Sequence, residues 1–106
     1  MNDERRKGRS DGRLCAQVSE ALGFALAESD EDALASAWIE DVVPAPNVAR
    51  LRVIVRAAKG IDADALLARL EALAPSFRYE IANAINRKKT PQLCFVVLPA
   101  DSPSEA

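Results

Sequence analysis

Histidine is absent from this 106-residue chain. That removes Ser/His/Asp and Cys/His catalysis, imidazole general acid–base work and every metal site that needs an imidazole. Two cysteines, Cys15 and Cys94, lie too far apart for a CxxC redox pair and are too few for a four-ligand zinc site. Both sit among apolar neighbours and read as reduced core residues. The four glycines fall in neither a GxGxxG nor a GxxxxGK pattern, so the usual phosphate-cradling loops are missing. No apolar run approaches the roughly 18 residues of a membrane span. The charged start, Asp3 to Arg9, leads into no apolar stretch of the signal-peptide kind. These absences weigh against an enzyme, a cofactor, a metal site, a small-molecule substrate and a membrane partner. A cytoplasmic address follows by default, and a monomer is expected.

What remains has an ordinary globular composition: 49% apolar, 28% charged, formal net charge −2. A chain of this size buries one core and is too short for two. The modest net charge conceals segregation. Residues 14–41 carry seven acids and no base, residues 42–61 carry four bases and no acid, and residues 76–91 carry four bases against one acid. A polyanion responds to such local patches more than to the total.

Residues 1–12 are polar and basic and read as a mobile arm, and residues 100–106 as a frayed acidic tail. From Arg13 to Glu28, Leu14, Val18, Leu22 and Leu26 fall at helical spacing, with Ser10 or Asp11 able to cap the start. Gly23 weakens that helix and suggests a close packing contact. Leu34 to Val43, with Trp38, Ile39, Val42 and Val43, predicts a strand ended by Pro44. Pro44-Ala45-Pro46-Asn47 predicts a turn. From Val48 to Ala57, Leu51, Val53 and Val55 alternate with Arg50, Arg52, Ile54 and Arg56, which predicts a strand with one buried and one arginine-bearing face. Gly60 and Asp62 break the strand and cap a second helix over 63–73, carried by Leu66, Leu67, Leu70 and Leu73. Pro75 is expected to separate it from a third helix bearing Phe77, Ile81 and Ile85, whose last turn is Arg87-Lys88-Lys89. Leu93 to Leu98 predicts a final strand. The order α-β-β-α-α-β implies an α+β two-layer sandwich, a three-stranded sheet with helices on one face and the other face open.

With that order, roughly residues 9–99 resemble the ribosome-binding factor A (RbfA) family, and the domain itself is placed over 13–99. The hairpin carries the most specific part: Val42, Ala45, Asn47, Val48, Leu51, Val53, Ile54 and Val55 fall without a gap on the family's V-x-x-S-x-D-L-x-x-A-x-V-y-V pattern. Arg78, Arg87, Lys88, Pro91, Leu93 and Phe95 resemble its R…P-x-L-x-F ending, and Arg13, Val18 and Leu22 its opening. The chain departs from the family in reading Leu73-Ala74-Pro75-Ser76 where a kink glycine usually stands, in Ala45 and Asn47 for Ser and Asp, and in its acidic balance. The resemblance implies a KH-like domain of type II order. It also implies a non-enzymatic factor that binds the small (30S) ribosomal subunit and 16S rRNA during late maturation and 5′-end processing.

Candidate RNA contacts follow from charge. Arg87, Lys88 and Lys89 are the densest basic cluster, with Arg78 close to three turns away; the plainer reading is a helix C-terminus on a solvated face. Arg50, Arg52 and Arg56 share one strand face, which an ordinary exposed sheet surface would also explain. Arg5, Arg6, Lys7, Arg9 and Arg13 form a basic arm able to order on RNA or simply to solubilise the terminus. Trp38, and more weakly Tyr79, would be a platform for base stacking if exposed; both are expected instead in the core or half-buried against the sheet, since a small domain with five aromatic residues needs them there. The acids from Glu28 to Asp32 are expected away from RNA. The alternative function is a protein-interaction module whose open sheet face binds an acidic protein partner.

Overall fold

Alternation along residues 50–56 sets the architecture, because successive side chains of a strand point to opposite faces. Leu51, Val53 and Val55 are fully buried, while Arg50 and Arg52 are exposed. The computed structural model describes the backbone of residues 2–47, 49–85 and 89–100, and the side chains within 12–47, 49–85 and 89–100. Its elements are α1 (Asn2–Ala27), a short α2 (Asp32–Ala35), β1 (Trp38–Pro44), β2 (Arg50–Arg56), α3 (Ala63–Ala84) and β3 (Gln92–Leu98).

The sheet has the order β1-β2-β3, with β1 antiparallel and β3 parallel to β2. The antiparallel pair closes through a tight loop: the Ala45 amide donates to the Arg50 carbonyl, and the Ala49 amide donates to Asn47 Oδ1. A parallel neighbour requires a crossover, and α3 supplies it. Gly60 holds a φ of 87°, a left-handed turn that lets the chain leave β2. Asp62 then caps α3 by accepting from the Asp64 amide at 2.9 Å.

α1 and α3 lie side by side on one face of the sheet, α1 over β1 and α3 over β3. Leu14, Val18, Leu22 and Leu26 of α1 meet Leu66, Leu70, Phe77 and Ile81 of α3 and Val42, Val53, Val55 and Phe95 of the sheet in one core. Phe77 and Phe95 pack edge to face with centroids 6.1 Å apart, fixing α3 to β3. This is the expected two-layer α+β sandwich with helices on a single face of the sheet.

Several local expectations are corrected. α1 begins at Asn2, so Ser10 and Asp11 lie inside a helix and do not cap one. Glu, Arg and Lys at residues 4–7 are strong helix formers and carry the periodic segment back toward the N-terminus. Gly23 is not a close-packing site: a Cβ there would meet nothing within 4 Å. Leu34 belongs to α2 and is buried, and β1 starts only at Trp38. Pro44 does extend β1, opposite Leu51, because β1 is an edge strand and its outer side needs no amide donor. Pro75 does not separate two helices. It sits inside α3, exposed, removing one backbone bond from a helix whose flanking Leu70 and Phe77 are held by the core. α3 ends at Ala84, so Lys89 lies beyond its last turn, and Arg87 and Lys88 fall outside the described residues. Cys15 is buried as expected, but Cys94 is only half-buried, on the outer face of the sheet.

Candidate nucleic-acid interface

The sheet face opposite the helices presents its side chains in rows set by the strand register. Trp38, Arg56 and Leu98 form one row, Asp41, Ile54 and Val96 the next, then Val43, Arg52 and Cys94, then Arg50 and Gln92. Arg50, Arg52 and Arg56 therefore share this surface, as their alternation requires. The face is basic at the Arg50–Arg52 end, and the guanidiniums there have no ion-pair partner among the described residues.

The other end is built differently. Arg56 Nε donates to Glu40 Oε2 at 2.9 Å, and Arg56 Nη1 donates to the Pro99 carbonyl at 2.8 Å. Glu40 Oε2 also accepts the Trp38 indole N–H at 3.1 Å. The hydrogen bond from Arg56, reinforced by that from Trp38, holds the Glu40 carboxyl below the ordinary glutamate range. This arrangement depends on a β-bulge, because the register of β1 slips between Ile39 and Asp41 and leaves Glu40 as the extra residue. Ile39 still packs against the core.

Trp38 is thus not a core residue. It is 47% exposed on the open face, and Tyr79 is 68% exposed on α3. The core fills instead with aliphatic side chains from α1, α3 and β2. The signal for Trp38 lay two residues along: an acid at Glu40 inside a strand marks the solvent side, and strand period 2 puts Trp38 on that side too.

The remaining candidates are dispersed. Arg78 is half-buried and its guanidinium spans two carbonyls, Nε to Pro91 and Nη2 to Thr90, both at 3.2 Å. It holds the chain entering β3 against α3. Lys89 is exposed on that entry, at the end of the sheet where Gln92 pairs with Arg50. Arg13 is exposed on α1. The backbone of Arg5, Arg6, Lys7 and Arg9 belongs to α1, and their side chains lie outside the described residues. Within the acidic run, Glu31 forms a bidentate pair with Arg69 of α3, Nε to Oε1 at 2.9 Å and Nη2 to Oε2 at 2.6 Å, on the helix layer. Among the described residues no cluster of ligating side chains could hold a metal ion, and no helix is long and apolar enough to cross a membrane.

These features define a small α+β domain with two helices on one face of a mixed three-stranded sheet and a partly basic open face. The same fold is seen in a ribosome-binding protein: the crystal structure of ribosome-binding factor A from Thermus thermophilus superposes with a TM-score of 0.74 and 21% sequence identity, covering 82% of this chain and 93% of that one. The chain has the RbfA-like fold that its hairpin residues suggested. No protein-family model matches it, and no curated protein matches it in sequence.

Proposed function

We propose that this protein is a non-enzymatic assembly factor that binds the small (30S) ribosomal subunit and 16S rRNA during late maturation and 5′-end processing, acting as a cytoplasmic monomer. The observation that carries the reading is the fold, shared over nearly the whole length of a protein named as a ribosome-binding factor. The exposed Arg50 and Arg52 on the open face, with Lys89 at the same end, support it by offering cations to phosphates. Arg56 and Arg78 are engaged within the fold and serve first to hold the bulge and the entry to β3. Arg13, Arg5, Arg6, Lys7, Arg9, Arg87 and Lys88 complete the proposed contact set by charge alone.

The test is co-sedimentation with immature small subunits over a salt series. Affinity is expected to fall linearly in log–log form as counterions compete for the phosphates. Affinity independent of salt overturns a phosphate-driven mode. The exposed Trp38 and Val96 and the half-buried Ile54 favour a second reading, docking of an acidic protein partner on the open face. Capture of a partner that survives ribonuclease, without co-sedimentation with ribosomal particles, identifies that reading.

A further inference from the structure

Trp38 is the chain's one tryptophan, and nearly half of its surface is open. Its orientation is restrained from one edge, through the indole N–H to Glu40, while Glu40 is held by Arg56 and Arg56 by the Pro99 carbonyl. A large aromatic side chain tethered in this way loses little conformational freedom when something stacks on it. Arg56 is engaged by Glu40 and by the Pro99 carbonyl, so this end offers the indole ring rather than a spare cation. Along β2 toward Arg52, a Cα distance of roughly 13 Å for four residues of strand, the surface passes through Ile54 and Val96 and becomes cationic at Arg52 and Arg50. Asp41, the other carboxylate of this face among the described residues, stands in the row of Ile54 and Val96 and accepts from the Val42 amide through Oδ1.

We propose that the open sheet face binds a single-stranded RNA segment, with an unpaired base stacked on Trp38 and phosphates further along the strand paired to Arg52 and Arg50. This deepens the ribosomal reading and rests on it. The charge distribution selects the occupant: a strand that alternates flat rings with anionic links matches a face that offers an aromatic platform at one end and, at the other, cations with no ion-pair partner among the described residues. Stacking is tolerant of base identity, so the site recognises single-strandedness more than sequence.

Because Trp38 is the sole tryptophan, the emission of the full-length protein reports on this position. Titration with an unstructured oligoribonucleotide of about ten nucleotides is expected to quench it saturably, and the same strand annealed into a duplex to quench it far less. In an anisotropy assay with the labelled oligonucleotide, Trp38→Ala is expected to lose about 5- to 150-fold in affinity, the range that a single base–aromatic stack is worth. Trp38→Phe keeps a ring and is expected to stay within about 5-fold of the parent. Circular dichroism verifies that both variants are folded. An oligonucleotide that does not bind, that binds without changing Trp38 emission, or that binds Trp38→Ala as tightly as the parent overturns the proposal. So does an emission shift produced by RNA-depleted ribosomal protein and not by RNA, which assigns the face to a protein. In each of these cases the parent still co-sediments with small subunits if the broader reading holds; loss of that co-sedimentation is the separate failure of the ribosomal role.

Discussion

Glu31 and Glu40 each accept from an arginine that belongs to another element of the fold. Arg69 ties α3 to the residue before α2, and Arg56 ties β2 to the bulge of β1. In both glutamates the hydrogen bond from the guanidinium is the main reason the carboxyl titrates below its ordinary value. A folded-state value below the unfolded one means stability that is present above the unfolded value, about 4.3 for glutamate, and is lost as pH falls through the folded value. Both pairs are solvent-exposed, so the effect is modest and salt-sensitive. Thermal unfolding followed from pH 7 downward is therefore expected to show Tm falling below about pH 4.3, with a shallower fall in a Glu31→Gln/Glu40→Gln double variant. A double variant with the parent's slope removes these pairs as contributors.

At the scale of elements, α3 is the informative case. Its core positions continue in helical register on both sides of Pro75, with Leu66 and Leu70 before it and Phe77 and Ile81 after. Burial of that stripe outweighs the backbone bond that the proline removes, so the helix runs through a residue that in isolation would end it. Pro75 is itself exposed. Pro75→Ala is expected to raise stability by about 2 kcal/mol, the helix-interior penalty of proline less its benefit in restricting the unfolded chain. The denaturant midpoint measures it, and a lowered midpoint would show that the core needs a bend set by the proline. What could be read in advance divides along the same line. β2 was legible because a strict period of 2 over Leu51, Val53 and Val55 has no other interpretation, and β3 because an apolar run of strand length between two prolines has few. The helix through Pro75 was not legible, since local propensity argues for a break and tertiary burial of the whole stripe, Phe77 against Phe95 included, overrides it. The place of Trp38 was obscured by the bulge, which interrupts the alternation of β1 next to the one residue that mattered.

At the scale of the whole molecule, the two layers divide the described charges unequally. On the helix layer, Arg69 is neutralised by Glu31 in a two-point contact. On the outer face of the sheet, Arg56 is balanced by Glu40, whereas Arg50 and Arg52 have no carboxylate partner among the described residues. A net charge of −2 therefore does not prevent one side of the protein from attracting a polyanion, because at physiological ionic strength charges beyond about 8 Å are largely screened and the approaching phosphate senses the nearest groups. The two layers should then separate in a salt series. Each lost phosphate contact lowers the log–log salt slope by about 1, so Arg50→Ala/Arg52→Ala is expected to reduce the slope of small-subunit binding by about 2. Arg69→Ala, which removes a cation of equal charge from the helix layer, is expected to leave the slope unchanged and to act on stability alone. Equal reductions from both variants would mean that binding follows total charge and that the orientation proposed for the sheet face is wrong.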